Sequence, residues 1–154
     1  GAFIAKREIA DSYKGPNIST FGGNPISMVA AMANIEYMRE HDLVGNAERM
    51  GRILWDGMME LKEKHPIVGD VRGKGLMVGV ELVRDRAHKV PAPEETARVM
   101  EHCKDAGVLI GRGGLYANVL RLTPPLVVNA DDVRRALQAL DAAFAAVEKG
   151  MSFA

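Results

Sequence analysis

Apolar residues recur along this chain with two different periods, and the alternation between them outlines the elements. Over residues 27–39, Met28, Met32, Ile35 and Met38 fall at helical spacing, while Glu36, Arg39 and Glu40 mark a wetted side. His41-Asp42 breaks this run. A second amphipathic stretch, from about 46 to 64, places Ala47, Met50, Leu54, Met58 and Leu61 on one stripe, and Pro66 stops it. The methionines of both stretches read as core packing at a helix–helix contact. Leu76 to Val83 is short and β-rich, so it predicts a strand, delivered by a tight glycine turn over the residues just before it. A polar, proline-containing stretch follows, and residues 94–106 then form a third helix with Val99, Met100 and Cys103 inward and Gly107 ending it. VLIG at 108–111 and VLRLTP at 119–124 predict two more strands. Asn129 caps a last helix whose stripe is Val133, Leu137, Leu140, Phe144 and Val147. The order helix, helix, strand, helix, strand, strand, helix suggests an α+β layer, a small sheet covered on one face by helices.

The opening GAFIAKREIA has no Met and is apolar from position 2. It reads as a strand already under way over residues 2–5, followed by a short helical stretch through Ile9, and suggests the later part of a longer protein. The 154 residues are one domain's worth. With 47% hydrophobic and 26% charged residues the chain is not disordered. Lys plus Arg balances Asp plus Glu at 20 each, which removes any global electrostatic argument for nucleic acid or an anionic membrane. The single Cys103 excludes an intramolecular disulfide and a cysteine zinc cluster, and suits a reducing compartment. No apolar run approaches the ~20 residues of a bilayer span, and no basic-then-apolar leader is present, so the expectation is a soluble cytoplasmic protein.

Two places carry candidate chemistry. STFGGNPISM at 19–28 sets hydroxyls, two glycines and Asn24-Pro25 before a helix. Asn at the cap and Pro at the first helical position make an ordinary helix start, and on local chemistry that turn is favoured. The same features also suit an anion, because free N–H groups at a helix start attract negative charge. The second place is Arg121. Alternation along its strand sends Leu120 and Leu122 to one face and Arg121 to the other with Val119 and Thr123, and Pro124-Pro125 end the strand at once. An arginine held there suits bidentate capture of a carboxylate; an internal ion pair is an equally open reading. Arg72, beside a glycine turn, reads as a brace for backbone carbonyls, and Arg112 is a weaker candidate still. Glycines 73, 75 and 79 do not match a dinucleotide fingerprint, since they lead into a strand rather than opening a helix. His41, His65, His88 and His102 lack metal-ligand spacing, so no metal is expected, and no nucleophile elbow is present.

STFGGNP at 19–25, DVRGKGLMVGVEL at 70–82 and VLRLTPPLVV at 119–128 stand in an order that closely resembles the C-terminal part of the class III pyridoxal-phosphate-dependent aminotransferases. AGVLIGRGGLYANVLRLTPPL resembles the later segment of the alanine–glyoxylate (β-aminoisobutyrate–pyruvate) subgroup. The resemblance implies the C-terminal portion of a fold-type I enzyme. Residues 1–45 would then be the end of the large cofactor-binding domain with its linking helix, and 46–154 the small domain. It implies pyridoxal 5'-phosphate as cofactor, amino acid and 2-oxo acid substrates of pyruvate or glyoxylate type, and a homodimer or higher homo-oligomer. By the same resemblance Thr20 binds the cofactor phosphate across the dimer interface, and Arg121 binds the substrate carboxylate. The family's Schiff-base lysine lies upstream of the segment matching GAFIAKREIA. None of the eight lysines here has the desolvated or cation-flanked setting such a group needs, so the chain alone is expected to be inactive, with no catalytic residue of its own. The alternative is a non-catalytic module that binds amino acids or assembles subunits.

Overall fold

The computed structural model describes residues 4–16 and 18–151. The chain divides into two compact units, residues 1–37 and 38–154. In the first, α1 (Arg7–Ala10) is followed by a turn and then by α2 (Pro25–Glu40), which crosses the boundary between the units. The helical stretch predicted through Ile9 is therefore present. Of the strand expected over 2–5, residues 2 and 3 lie outside the described residues, and residues 4 and 5 belong to no strand. No residue of α2 is buried: Met28, Met32 and Ile35 stand exposed with Ile26 and Val29. The helix is apolar around most of its circumference, the composition of a helix meant to be enclosed rather than of one with a single buried stripe. The packing role expected of the methionines thus holds within the chain for Met58, which is wholly buried, and not for Met28 or Met32.

The second unit opens with α3 (Leu43–Lys64), three residues earlier than the periodicity alone predicts. Asp42 explains the difference. Its backbone is left-handed and its carboxylate accepts the N–H of Gly45, so a cap lies hidden inside a dipeptide that reads only as a break. Then come β1 (Val68–Lys74), β2 (Met77–Asp85), the two-residue β3 (Val90–Pro91), α4 (Pro93–Asp105), β4 (Gly111–Gly113), β5 (Val119–Leu122) and α5 (Ala130–Glu148). The stretch 69–75, expected as a turn, is mostly β1, paired antiparallel with β2 from Asp70↔Glu81 to Lys74↔Met77. The turn itself is confined to Gly75-Leu76, with Gly75 in the left-handed region. The strand expected over 108–111 likewise begins only at Gly111.

The sheet runs β1-β2-β5-β4, with β3 on the far end of β2, and every described pairing is antiparallel. Val78, Val80 and Leu82 of β2 and Leu120 and Leu122 of β5 share the core with Leu54, Met58 and Leu61 of α3, Val99 and Cys103 of α4, and Val133, Leu140, Phe144 and Val147 of α5. The opposite face carries Asp70, Arg72, Gly79, Glu81, Val119 and Arg121, as period-2 alternation requires. The result is an α+β fold, a small antiparallel sheet with helices on one side.

Two polar devices fix this arrangement. Asn118, 2% exposed, donates from Nδ2 to the Leu82 carbonyl at 2.9 Å, and its own carbonyl accepts the Leu82 N–H at 2.8 Å. This clamp lies one step beyond Glu81↔Val119 and locks the register of β5. A slip of one residue would turn Arg121 into the core. At the other end of the unit, buried His65 places Nε2 2.6 Å from Asp141 Oδ1 and Nδ1 2.7 Å from Glu148 Oε2. Glu148 also accepts the Ile67 N–H at 3.1 Å, tying the end of α3 and the entrance of β1 to α5. No helix among the described residues is long and apolar enough to cross a membrane.

Candidate functional site

Thr20 lies in the first unit, in a turn that immediately precedes α2. The Gly22 N–H donates to the Ser19 carbonyl at 3.1 Å and the Asn24 N–H to the Phe21 carbonyl at 3.5 Å. A Cβ at Gly22 would lie 2.8 Å from the Ser19 Cβ, and Gly23 sits at φ +73°, so both glycines are dictated by the shape of the turn. Asn24 caps the helix: its Oδ1 accepts the Ser27 N–H at 3.0 Å, while its Nδ2 donates to the Phe21 carbonyl and the Ser27 hydroxyl. The helix-start reading is therefore realised. It leaves the Thr20 side chain exposed, with no hydrogen-bond partner for its hydroxyl among the described residues. A turn and an anion site are compatible here, because the cap and the hydroxyl belong to different residues.

Arg121 lies in the second unit, at the centre of β5. Leu120 and Leu122 are buried on either side of it, and the guanidinium stands on the polar face. Among the described residues its side chain makes no hydrogen bond and no ion pair. Both of its cross-strand neighbours are glycines: Gly79 on β2 and Gly111 on β4. A Cβ at Gly111 would come within 3.3 Å of both Nε and Nη2, so the guanidinium rests directly over that glycine. Thr123 and Pro124 continue from the strand into a cavity of ≈ 280 Å³ whose apolar wall includes Leu54, Ile110 and Val133. A cation at the edge of a small apolar hollow can hold a short organic acid by its carboxylate.

Arg72 has a different role. Its Nη1 lies 2.8 Å from Asp70 Oδ2 and 2.8 Å from Glu81 Oε2. Those carboxylates, Asp70 first, raise its already high pKa. Sequence pattern predicts a brace on carbonyls; the structure shows a brace on carboxylates, because β1 and β2 pair and bring Glu81 beside Asp70. Of the two free-standing arginine candidates Arg72 is thus neutralised and Arg121 is not. Arg112 points from the edge strand and is exposed. The sequence pattern links neither Gly79 nor Gly111 to Arg121, since only strand register shows that they flank it.

The lysines give a negative result of equal importance. Lys62 is half-buried and the other seven are exposed. Lys104 is shifted upward, through its bond to Glu101. A lysine serving as a nucleophile needs the opposite shift.

The family model for "Aminotransferase class-III" matches residues 1–144. The chain belongs to the class III aminotransferases. It is 45% identical over 142 residues to an Arabidopsis thaliana protein named alanine–glyoxylate aminotransferase 2 homolog 2, mitochondrial, covering 92% of this chain and 30% of the plant protein. It is 44% identical over 138 residues to the taurine–pyruvate aminotransferase of Bilophila wadsworthia, covering 86% of this chain and 30% of that protein. An alanine/serine racemase of Pyrococcus horikoshii is also similar, at 36% identity over 140 residues, with 91% and 29% covered. Among solved structures, a Bacillus anthracis aminotransferase superposes with a TM-score of 0.84 at 38% identity, over 92% of this chain and 34% of its own. The chain accordingly spans about a third of the length of the relatives it matches. Class III aminotransferases work with pyridoxal phosphate. The residues present suit its phosphate, for which Thr20 offers an uncommitted hydroxyl in a glycine-shaped turn.

Proposed function

We propose that this chain is the C-terminal portion of an aminotransferase that moves an amino group from an amino acid to a 2-oxo acid of pyruvate or glyoxylate type. Residues 1–45 are the end of the large domain with its linking helix, and 46–154 the small domain. Pyridoxal phosphate, when bound, supplies the electron sink through which the amino group is exchanged. Thr20 holds the cofactor's phosphate for the neighbouring subunit of a homodimer or larger homo-oligomer, through its hydroxyl and the N–H groups of the turn. Arg121 receives the substrate carboxylate through paired, charge-assisted hydrogen bonds and so orients the reacting carbon.

The observation that carries this reading is the state of Arg121. A guanidinium on a register-locked strand, between two glycines and with no carboxylate on it among the described residues, is ready for a carboxylate from outside. Arg72, on the same face, shows how the sheet treats an arginine kept for structure.

In the complete enzyme, Arg121→Ala should lower kcat/KM for alanine with glyoxylate by on the order of a hundredfold, since two charged hydrogen bonds are lost. An unchanged kcat/KM would overturn the carboxylate assignment. Thr20→Val should weaken retention of pyridoxal phosphate, read as cofactor lost on dialysis. The 154-residue chain alone should give no turnover with alanine and glyoxylate, and measurable turnover would refute the view that the reactive amine lies elsewhere. Because one relative is a racemase, the product also matters: pyruvate supports amino transfer, whereas D-alanine without pyruvate would replace it with racemisation.

A further inference from the structure

We infer that Gly111 is a positioning residue for Arg121, kept free of a side chain so that the guanidinium lies flat on the sheet in the pose that grips a carboxylate. The inference rests on the reading of Arg121 as the carboxylate ligand and adds the determinant of its pose. Gly111 pairs directly with Arg121 across the β4–β5 ladder. A Cβ built on it meets Nε and Nη2, both at 3.3 Å, and the Arg121 carbonyl at 3.6 Å. The two closest atoms belong to the guanidinium, the end of a flexible side chain, so the clash is relieved by moving the guanidinium rather than the strand.

The backbone gives no other reason for glycine at this position. Gly111 is not among the positive-φ glycines, and its strand neighbour Gly113 has nothing within 4 Å of a built Cβ. A glycine inside a strand lowers strand propensity, and it commonly marks close approach of another group. Here the approaching group is the guanidinium itself. The glycine on the other side, Gly79, differs in kind: its Cβ would make only ordinary contacts, at 3.5 Å or more, with Val119 and Arg72. Pose control therefore sits on the β4 side.

The geometry separates binding from stability. A residue that merely filled space would destabilise the fold when enlarged. At Gly111 a larger residue improves strand propensity and displaces the guanidinium, so stability should hold or rise while carboxylate affinity falls. The effect should be graded, because a single methyl shifts the guanidinium by a few tenths of an ångström and a branched side chain takes its place.

The test uses the complete, cofactor-loaded enzyme and measures competitive inhibition by propionate, a simple carboxylate, beside the Tm. Gly111→Val should raise the inhibition constant about tenfold or more, the loss of one of two charge-assisted bonds, with no fall in Tm. Gly111→Ala should raise it by a smaller factor. Gly113→Ala, on the same strand and in open space, should leave it unchanged. Equal propionate inhibition in wild type and Gly111→Val would overturn the inference, as would a rise in Gly113→Ala matching that in Gly111→Ala. Arg121→Ala measured alongside tells the two failures apart. If it too leaves propionate inhibition intact, the carboxylate assignment itself is wrong. If it abolishes inhibition while Gly111→Val does not, only the role of Gly111 falls.

Discussion

Replacing Gly51 by alanine sets two effects of opposite sign against each other. Gly51 is buried in the interior of α3, where alanine ordinarily gains about 1 kcal/mol over glycine through helix propensity. Here the added Cβ would lie 2.4 Å from the carbonyl carbon of Gly75, 2.5 Å from its oxygen and 2.6 Å from its Cα. That is about 1 Å inside ordinary van der Waals contact. All three atoms are backbone, at the corner of the β1–β2 hairpin, and Gly75 is held at φ +55° by the turn. Relief requires the helix and hairpin to part. Overpacking costs about 1–3 kcal/mol, and a backbone obstacle belongs at the upper end of that range. Subtracting the propensity gain leaves a net loss of about 1–2 kcal/mol, a Tm lower by roughly 2–8 °C for a chain of this size. Gly57→Ala on the same helix is the control. Its Cβ would meet Leu137 Cδ1 at 2.3 Å, a side-chain end that can rotate aside, so propensity and repacking should nearly cancel. Thermal unfolding followed by far-ultraviolet circular dichroism reads both variants. A Tm for Gly51→Ala equal to or above wild type would refute the argument, since it would mean that the hairpin yields as easily as a leucine.

Three further outcomes follow from the same structure. His65→Leu removes the ring that joins Asp141 and Glu148, leaving a mostly buried Glu148 carboxylate with only the Ile67 N–H, and should cost about 2–4 kcal/mol in chemical denaturation; a loss below about 0.5 kcal/mol would contradict the role given to this bracket. Burial pushes the Cys103 thiol up to about 11, so the folded protein at pH 8 should resist iodoacetamide and react only once unfolded; rapid labelling of the native state would show the site to be open. The Asp141 carboxyl is held below its ordinary value by Lys64 first and His65 second. It binds its proton less readily folded than unfolded, so its contribution is present above about pH 4 and is lost as pH falls through the lowered folded value. Lys64→Met should make the acid loss of stability shallower, and an unchanged acid profile would count against that pairing.

Much of this molecule was legible along the chain, because helices with one buried face must repeat their apolar residues at 3.6 and capped ends require particular residues. The stripes Leu54-Met58-Leu61 and Val133-Leu140-Phe144-Val147, the caps at Asn24 and Asn129, the terminator Gly107 and the outward placement of Arg121 all follow from such local rules. Other features follow from pairings between residues far apart in sequence, and no local pattern contains them. The stretch 69–75 resembles a turn by composition and becomes β1 only because β2 is there to pair with it. Arg72 and Arg121 each follow an apolar residue, Val71 and Leu120, and neither carries a local mark of its partners. Strand register gives one of them Asp70 and Glu81 and gives the other two glycines. Sequence alone thus determined which segments form the long helices, which face of α3, α4 and α5 is apolar, and which family motifs are present. Only the tertiary structure decided which charge is satisfied and which stands open, because a side chain's partners are set by distance in space, and register converts one into the other.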